Sequence, residues 1–289
     1  MNLKSLTILF FFLATNIVGF AQQEYTTVKN EYLANAKKNS KDIQKKDDLS
    51  FLLTPLNELK LDDKYVLSDF RCYRTFRKKD WSNLRLYIRK KTQQRPDDEY
   101  FEKEYSRYRK CKRLGTPYNV SKDQVGFISP FNKISLMGTQ MSIWQAYLLF
   151  QSSVLFGMRD EGNYDQTYLI TSVEDVDSIL GLIKTSWDFD LFGDDFTMES
   201  VKDSQKKRVK ETFAVVDSLE SIKSRNLQPV FTYDADSVSI EQYAFAEFHG
   251  LLRLKTTLYF TNRRHQHIKE INDFKIIDKI APYSRSVMY

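Results

Sequence analysis

LRLKTTLYFT, residues 252–261, has the clearest secondary-structure pattern in the chain. Apolar and polar side chains alternate along it, which is the period of a β-strand with one buried face. The positions on the predicted buried face are Leu252, Leu254, Thr256, Leu258 and Phe260. The next segment, TNRRHQ (261–266), has turn composition, and HIKEINDFKIID (267–278) is predicted to be the returning strand. The C-terminal end therefore predicts an antiparallel hairpin.

Two further strands are predicted before this hairpin. VFTY (230–233) is followed by the turn DADS (234–237), and QYAFAEFHG (242–250) is predicted to be a strand that is kinked or bulged at Gly250. We therefore expect an antiparallel sheet with one face against helices.

The central part of the chain predicts helices. Met141–Met158 is its most apolar segment, and we interpret it as a buried central helix. A membrane span is the alternative, but Gln145 and Gln151 interrupt the segment. TYLIT (167–171) is predicted to be a short strand.

Two capping signals mark the starts of later helices. Ser172 with Asp175 precedes one helical stripe, and Ser200 with Asp203 precedes a longer one that ends near Asn226. The stripes are Val176, Ile179, Leu180 and Ile183, and then Val209, Phe213, Val216, Leu219 and Ile222. The predicted fold is α+β, with a helical N-terminal and central part packed on a C-terminal antiparallel sheet.

The first residues have the pattern of a secretory signal peptide. Lys4 is followed by the apolar stretch Leu6–Val18, and Gly19 and Ala21 are small residues placed for cleavage before Gln22. We predict a signal peptide over residues 1–21 and a secreted or periplasmic protein. An uncleaved N-terminal membrane anchor is the alternative.

Composition divides the rest of the chain into regions. Residues 22–50 are predicted to be a polar, lysine-rich tether, in which 30–48 form a helix or a tether with little to bury. Residues 51–113 are predicted to be a basic aromatic helical region, 114–135 a loop or linker, and 136–289 the α+β region. Cys72 and Cys111 are the two cysteines, and export favours a disulfide between them. The alternative to a disulfide is a catalytic thiol, but neither cysteine has a histidine nearby in sequence.

Charge is one-sided after residue 70. Ten basic residues lie in 71–95 against the single carboxylate of Asp80, and aromatic side chains stand between them. Trp81, Leu84 and Ile88 have helical spacing, so we predict helices over 68–92 and 97–113. The basic face would be formed by Arg71, Arg74, Lys78, Arg85 and Arg89.

Such a face suits an anionic partner. Basic and aromatic residues can bind nucleic acid, but export argues against that partner. An anionic envelope surface, including peripheral contact with a membrane, or an acidic protein fits better. The alternative is that the aromatic residues form the core stripe while the basic residues are solvated, since a net charge of +6 is modest.

DFDLFGDDFTME, residues 188–199, resembles a calcium loop between two helices. Its ligands would be Asp188, Asp190, the carbonyl of Asp194, and Glu199. Phe192 stands where the fifth position needs an oxygen, so an acidic turn without metal is the favoured interpretation. No other cofactor is indicated.

The remaining chemistry is sparse. His249, His265 and His267 are predicted to lie at opposite ends of the 251–261 strand, so they would not form a zinc site. We therefore expect a non-enzymatic binding or interaction protein of the cell envelope. The alternative is an extracytoplasmic hydrolase that acts on cell-wall or polysaccharide material through carboxylates such as Glu241 or Glu247.

Overall fold

A computed structural model of the chain describes residues 24–36, 38, 48–70, 85–94, 131, 133–154, 167–185, 197–247 and 249–283. The helices are α1 (24–36), α2 (Gln140–Val154), α3 (Val173–Thr185) and α4 (Asp203–Ile222), with 3₁₀ helices at Ser50–Leu53 and Met198–Ser200. The strands are β1 (Leu59–Leu61), β2 (Tyr65–Phe70), β3 (Arg85–Lys90), β4 (Ile134–Leu136), β5 (Thr167–Ile170), β6 (Val230–Tyr233), β7 (Ser237–Ala246), β8 (Gly250–Phe260) and β9 (Ile268–Ala281). Helices and strands are mixed, so the α+β prediction is confirmed.

The main sheet is antiparallel and is built around β7 and β8. Its order is β5–β7–β8–β9, and β6 also pairs with β7. β5 pairs with residues 243–246 of β7, and β6 with residues 238–241, so these two short strands lie end to end along one edge. The hairpin predicted from residues 252–278 is confirmed as β8 and β9. Every second residue of β8 from Leu252 is buried, as the alternation predicts.

Gly250 begins a strand and does not bend one. The prediction of a strand kinked at this residue is wrong, because β7 ends at Ala246, residues 247 and 249 are turn residues, and β8 starts at Gly250. Gly250 has φ +87°, and a Cβ there would lie 2.0 Å from the Ala281 carbonyl oxygen. Glycine is therefore required both by the backbone conformation and by the close approach of β9.

Helix α2 packs on one face of the sheet and is buried from Met141 to Gln151. The prediction of a buried central helix is confirmed over these residues; the helix continues to Val154, and residues 155–158 lie outside the described part. Gln145 is buried because it is paired: its Oε1 accepts from the Glu58 backbone N–H at 2.8 Å, and its Nε2 donates to Asn57 Oδ1 at 3.0 Å. Within the described residues, no helix combines the length and apolarity needed to cross a bilayer.

Helices α3 and α4 pack on the opposite face, against the end of the sheet where Phe245 and Leu251 pair. The predicted stripe of α3 is buried as expected. The capping box is also confirmed, because Ser172 Oγ accepts from the Asp175 N–H at 3.3 Å and Asp175 Oδ2 accepts from the Ser172 N–H at 3.1 Å. The Ser200 signal is wrong: α4 begins at Asp203 after Lys202, which makes no side-chain cap.

Residues 24–36 contradict the prediction of a tether. They form α1, and Lys29, Tyr32 and Ala36 on it are buried. The Trp144 Nε1–H of α2 donates to the Tyr25 carbonyl at 3.1 Å, which fixes the start of α1 against the central helix. Leu49, at the end of the predicted tether, is also fully buried. One buried cluster therefore includes side chains from α1 to the start of β9.

The prediction of a helix over residues 68–92 is wrong where the structure describes it. Residues 65–70 and 85–90 form an antiparallel pair, β2 and β3, in which Leu67 lies opposite Ile88 and both are buried. Three apolar residues at helical spacing are too short a pattern to outweigh this non-local pairing. The predicted linker 114–135 also ends in the core, because Phe131 is buried and Ile134 begins β4.

Candidate functional site

Four lysines converge at one end of the β2–β3 ladder. Lys90 is the cross-strand partner of Tyr65, which places the two Cβ atoms about 5 Å apart. The Lys133 ammonium lies 5.4 Å from the centre of the Tyr65 ring, within cation–π distance. The Lys91 N–H donates to the Lys64 carbonyl at 3.0 Å, which holds these two residues at the same end of the ladder. We call Lys64, Lys90, Lys91 and Lys133 the lysine cluster.

The lysine cluster is held together by three chain segments. The β1–β2 turn is fixed because the Lys64 N–H donates to Asp62 Oδ1 at 3.0 Å, and the Asp62 N–H donates to the Lys133 carbonyl at 2.9 Å. Pairing of β1 with β4 brings Lys133 to the turn. These bonds use backbone groups and leave the ammonium groups available.

Within the described part of the chain, the charge of the lysine cluster is not neutralised by ion pairs. Lys64, Lys90 and Lys91 are exposed, and none of the four ammonium groups forms an ion pair with another described residue. Asp62 and Asp63 in the turn are the nearby carboxylates along the chain. Among the described residues, four cations against two anions give this end of the ladder a positive field, which attracts anions over about a Debye length, ~8–10 Å.

The predicted basic face is only partly described. Arg85 and Arg89 lie on β3, as cross-strand partners of Phe70 and Val66. Arg89 Nη1 donates to the Gln93 carbonyl at 2.6 Å, next to Lys90 of the cluster. Arg71, Arg74, Lys78, Cys72 and Cys111 lie outside the described residues, so the disulfide stays a prediction. Lys64 and Lys133 escaped sequence reasoning because β-pairing, which leaves no spacing signature, brings them together.

The acidic loop is almost wholly outside the described part of the chain. Of its predicted ligands only Glu199 is described, exposed in the short 3₁₀ helix Met198–Ser200. Asp188, Asp190 and Asp194 are not described. Among the described residues, no group of three or more histidine, cysteine, aspartate or glutamate side chains is placed to hold a metal ion.

The histidines lie apart, as the strand prediction requires. His249 precedes the first residue of β8, whereas His265 and His267 lie in the turn after its last residue. The imidazole of His265 packs against the rings of Phe260 and Tyr233, at centroid distances of 4.9 and 5.7 Å. His265 thus has a packing role in the turn.

The carboxylates suggested for a hydrolase do not converge. Glu241 lies on β7 and pairs with Arg253 and Lys255 of β8, at 2.9 and 3.2 Å. Glu247 lies just beyond the other end of β7, is buried, and accepts from the Tyr168 hydroxyl at 3.4 Å. Six residue steps along β7 separate the two Cα atoms by ~20 Å, whereas the carboxyl groups of glycosidase pairs stand roughly 5–9.5 Å apart.

A buried ion pair joins α1 to α3. The Lys29 ammonium, on a side chain 2% exposed, lies 2.5 Å from Asp175 Oδ2 and 3.3 Å from the Leu169 carbonyl oxygen. Asp175 Oδ2 also accepts from the Thr171 N–H and hydroxyl, at 2.8 and 3.0 Å. Burial lowers the pKa of Lys29, and the neighbouring Asp175 carboxylate acts in the opposite direction. Sequence reasoning identified Asp175 as a cap but missed Lys29.

Comparison with known proteins does not assign the chain to a family. No family model, no curated protein and no solved structure matches the chain.

Proposed function

We propose that this protein is an exported, non-enzymatic component of the cell envelope that binds an anionic surface. Its proposed binding face is the lysine cluster together with Arg89 and the basic segment 71–84, which connects β2 and β3 in the sequence. The observation that carries the proposal is the convergence of four lysines around Tyr65 without ion pairs to described residues. Export, proposed from the signal-peptide pattern of residues 1–21, would place this face among anionic envelope components.

Binding is preferred to hydrolysis on the geometry of the carboxylates. Glu241 is held by two cations and Glu247 is buried at the far end of β7, so neither has the other as an acid or base partner. A nucleic-acid partner is disfavoured by export. The calcium loop at 188–199 stays a separate prediction, because the binding face proposed here needs no metal.

The test is co-sedimentation of residues 22–289 with vesicles of phosphatidylglycerol and phosphatidylcholine. We expect binding at low salt that disappears in pure phosphatidylcholine vesicles. Reversal of three lysines (Lys64→Glu, Lys90→Glu and Lys91→Glu) should lower the partition coefficient by at least about 100-fold, since each lysine near an anionic surface contributes about 1 kcal/mol and each glutamate adds repulsion. Alginate, a soluble acidic polysaccharide, serves as a second arm that separates a lipid from a polysaccharide source of the anionic groups.

A matched variant controls for net charge. Lys202→Glu, Lys207→Glu and Lys210→Glu make the same charge change on exposed residues just before α4 and in its first half, where Lys207 has only a 3.9 Å contact with Glu211. This variant should lower the partition coefficient far less. Equal losses in the two triple variants would show that only total charge matters, and would reject the lysine cluster as the binding face. Absence of binding to both vesicles and alginate would reject the proposed function itself.

A further inference from the structure

A pocket of about 700 Å³ lies where the edge strands β5 and β6 meet end to end. Its walls come from the start of α1, from residues 171–174 at the junction of β5 and α3, and from the loop 224–228 that precedes β6. This volume lies within the range of small-molecule sites, roughly 300–1,000 Å³. The pocket is built from other elements than the lysine cluster, so its role is independent of the function proposed above.

The pocket wall is polar and partly preorganised. Five hydroxyl and three amide side chains line it, and the described lining residues include no aromatic ring. The Thr171 carbonyl accepts from Thr26 Oγ1 at 3.1 Å and from Gln228 Nε2, which ties the three walls together.

Two opposite charges complete the wall. Glu174, in the first turn of α3, and Arg225, in the loop before β6, both line the pocket. Both residues are exposed, and neither side chain forms an ion pair with a described residue. The neighbouring Lys29–Asp175 pair is internally neutralised, so it adds no net charge. The pocket therefore offers one carboxylate and one guanidinium, neither of them paired with a described residue, together with many hydrogen-bonding groups.

This combination selects among ligand classes. A polyanion would meet the Glu174 carboxylate, and a sugar would find no aromatic ring on which to stack among the described lining residues. A zwitterion satisfies both charges, because guanidinium binds carboxylate through two parallel hydrogen bonds and carboxylate binds ammonium. We propose that the pocket binds a short peptide, with the peptide's carboxylate at Arg225 and its ammonium group at Glu174.

The test is isothermal titration calorimetry of residues 22–289, which contain every described residue, with trialanine as the probe. We expect a dissociation constant below about 1 mM, in the range set by a few charge-assisted hydrogen bonds. N-acetylation or C-terminal amidation of the peptide should each weaken binding by about tenfold, because each removes one charge-assisted contact. Glu174→Gln should weaken trialanine binding equally but make the protein indifferent to N-acetylation, and Arg225→Gln should do the same for amidation.

Matched variants and clear negative outcomes accompany this test. Glu31→Gln and Arg263→Gln change exposed residues that do not line the pocket, and they should leave the affinity unchanged. Circular dichroism of each variant verifies folding, which these exposed positions should not affect. No heat of binding at about 10 mM trialanine, or equal affinities for the free and blocked peptides, would overturn the proposal. So would an affinity that is insensitive to both Glu174→Gln and Arg225→Gln.

Discussion

Lys29 and the lysine cluster place the same side chain in opposite environments. Lys29 is buried between α1 and α3, and its ammonium is held by Asp175 and the Leu169 carbonyl. Lys64, Lys90 and Lys91 are exposed around Tyr65 and form no ion pair with described residues. The environment of a lysine therefore determines the effect of its charge. A buried ammonium interacts with its immediate partners, whereas an exposed ammonium acts through its electrostatic field.

Removal of the partner of Lys29 should have the largest effect. Asp175→Ala leaves a buried ammonium without its carboxylate and also removes three hydrogen bonds from Thr171 and Ser172. We expect the free energy of unfolding to fall by about 3–5 kcal/mol, as is typical when one member of a buried ion pair is deleted. Urea unfolding at neutral pH measures this change.

The exposed pair Lys223–Asp177 provides the control for Asp175. Its atoms are 2.7 Å apart, but the Asp177 side chain is 58% exposed, and Lys223 has a second partner in Glu220. Asp177→Ala should therefore leave the urea midpoint nearly unchanged. If the two alanine variants were equally stable, burial of the Lys29–Asp175 pair would have no energetic consequence, and the comparison would fail.

Only one member of the Lys29–Asp175 pair could be recognised from the sequence. Ser172 and Asp175 were recognisable because a capping box is local, with both partners within one helical turn. Lys29 was not, although Lys29, Tyr32 and Ala36 recur at helical spacing on the buried side of α1. A lysine in a core position makes the stripe look polar, so the segment resembled a tether. Its counter-ion lies far along the chain, where spacing carries no information.

The main sheet and the β2–β3 pair also differ in how far their sequences predict them. The β8 alternation extends over a whole strand with one buried face, so its period was visible in the sequence. In β2 and β3 the pairing of Leu67 with Ile88 decides the structure, and the few apolar residues there also fitted a helix. The lysine cluster depends on this pairing and on that of β1 with β4. The basic character was therefore predictable, whereas the residues that converge were not.

Replacement of Lys29 itself should have a smaller effect, with a distinctive dependence on pH. Lys29→Met removes the buried charge and leaves Asp175 with its three other donors, so we expect a loss below about 2 kcal/mol at pH 7. The folded-state pKa of Lys29 is lowered from 10.5, chiefly by burial. Between the folded and unfolded pKa values the unfolded chain binds more protons, so the stability of the wild-type protein should rise with pH.

This slope should be absent from Lys29→Met, and the difference in the free energy of unfolding between the two proteins should widen as the pH rises towards 10.5. Urea unfolding across that range measures it. The measurement should end near pH ~10, because the contribution of Tyr25 to stability changes above that pH. Burial raises the pKa of Tyr25 to about 12. Protonated Tyr25 stabilises the fold below pH 10, and that contribution is lost as the pH rises from 10 towards 12. If the difference in the free energy of unfolding between the wild-type protein and Lys29→Met narrowed as the pH rose to ~10, Asp175 would outweigh burial in setting the pKa of Lys29.

The smallest effect on stability should come from the lysine cluster. Replacement of Lys64, Lys90 and Lys91 by glutamine removes three exposed charges and no ion pair with a described residue, so the free energy of unfolding should change by less than ~0.5 kcal/mol per site. The repulsion among the lysines should be visible in how the free energy of unfolding depends on salt concentration. Added salt at ~0.5 M screens like charges and should stabilise the wild-type protein slightly more than the triple glutamine variant. Guanidinium is ionic, so urea is the denaturant to use. A loss above ~2 kcal/mol in the triple variant would show that these lysines hold the β2–β3 hairpin together, and the contrast with Lys29 would disappear.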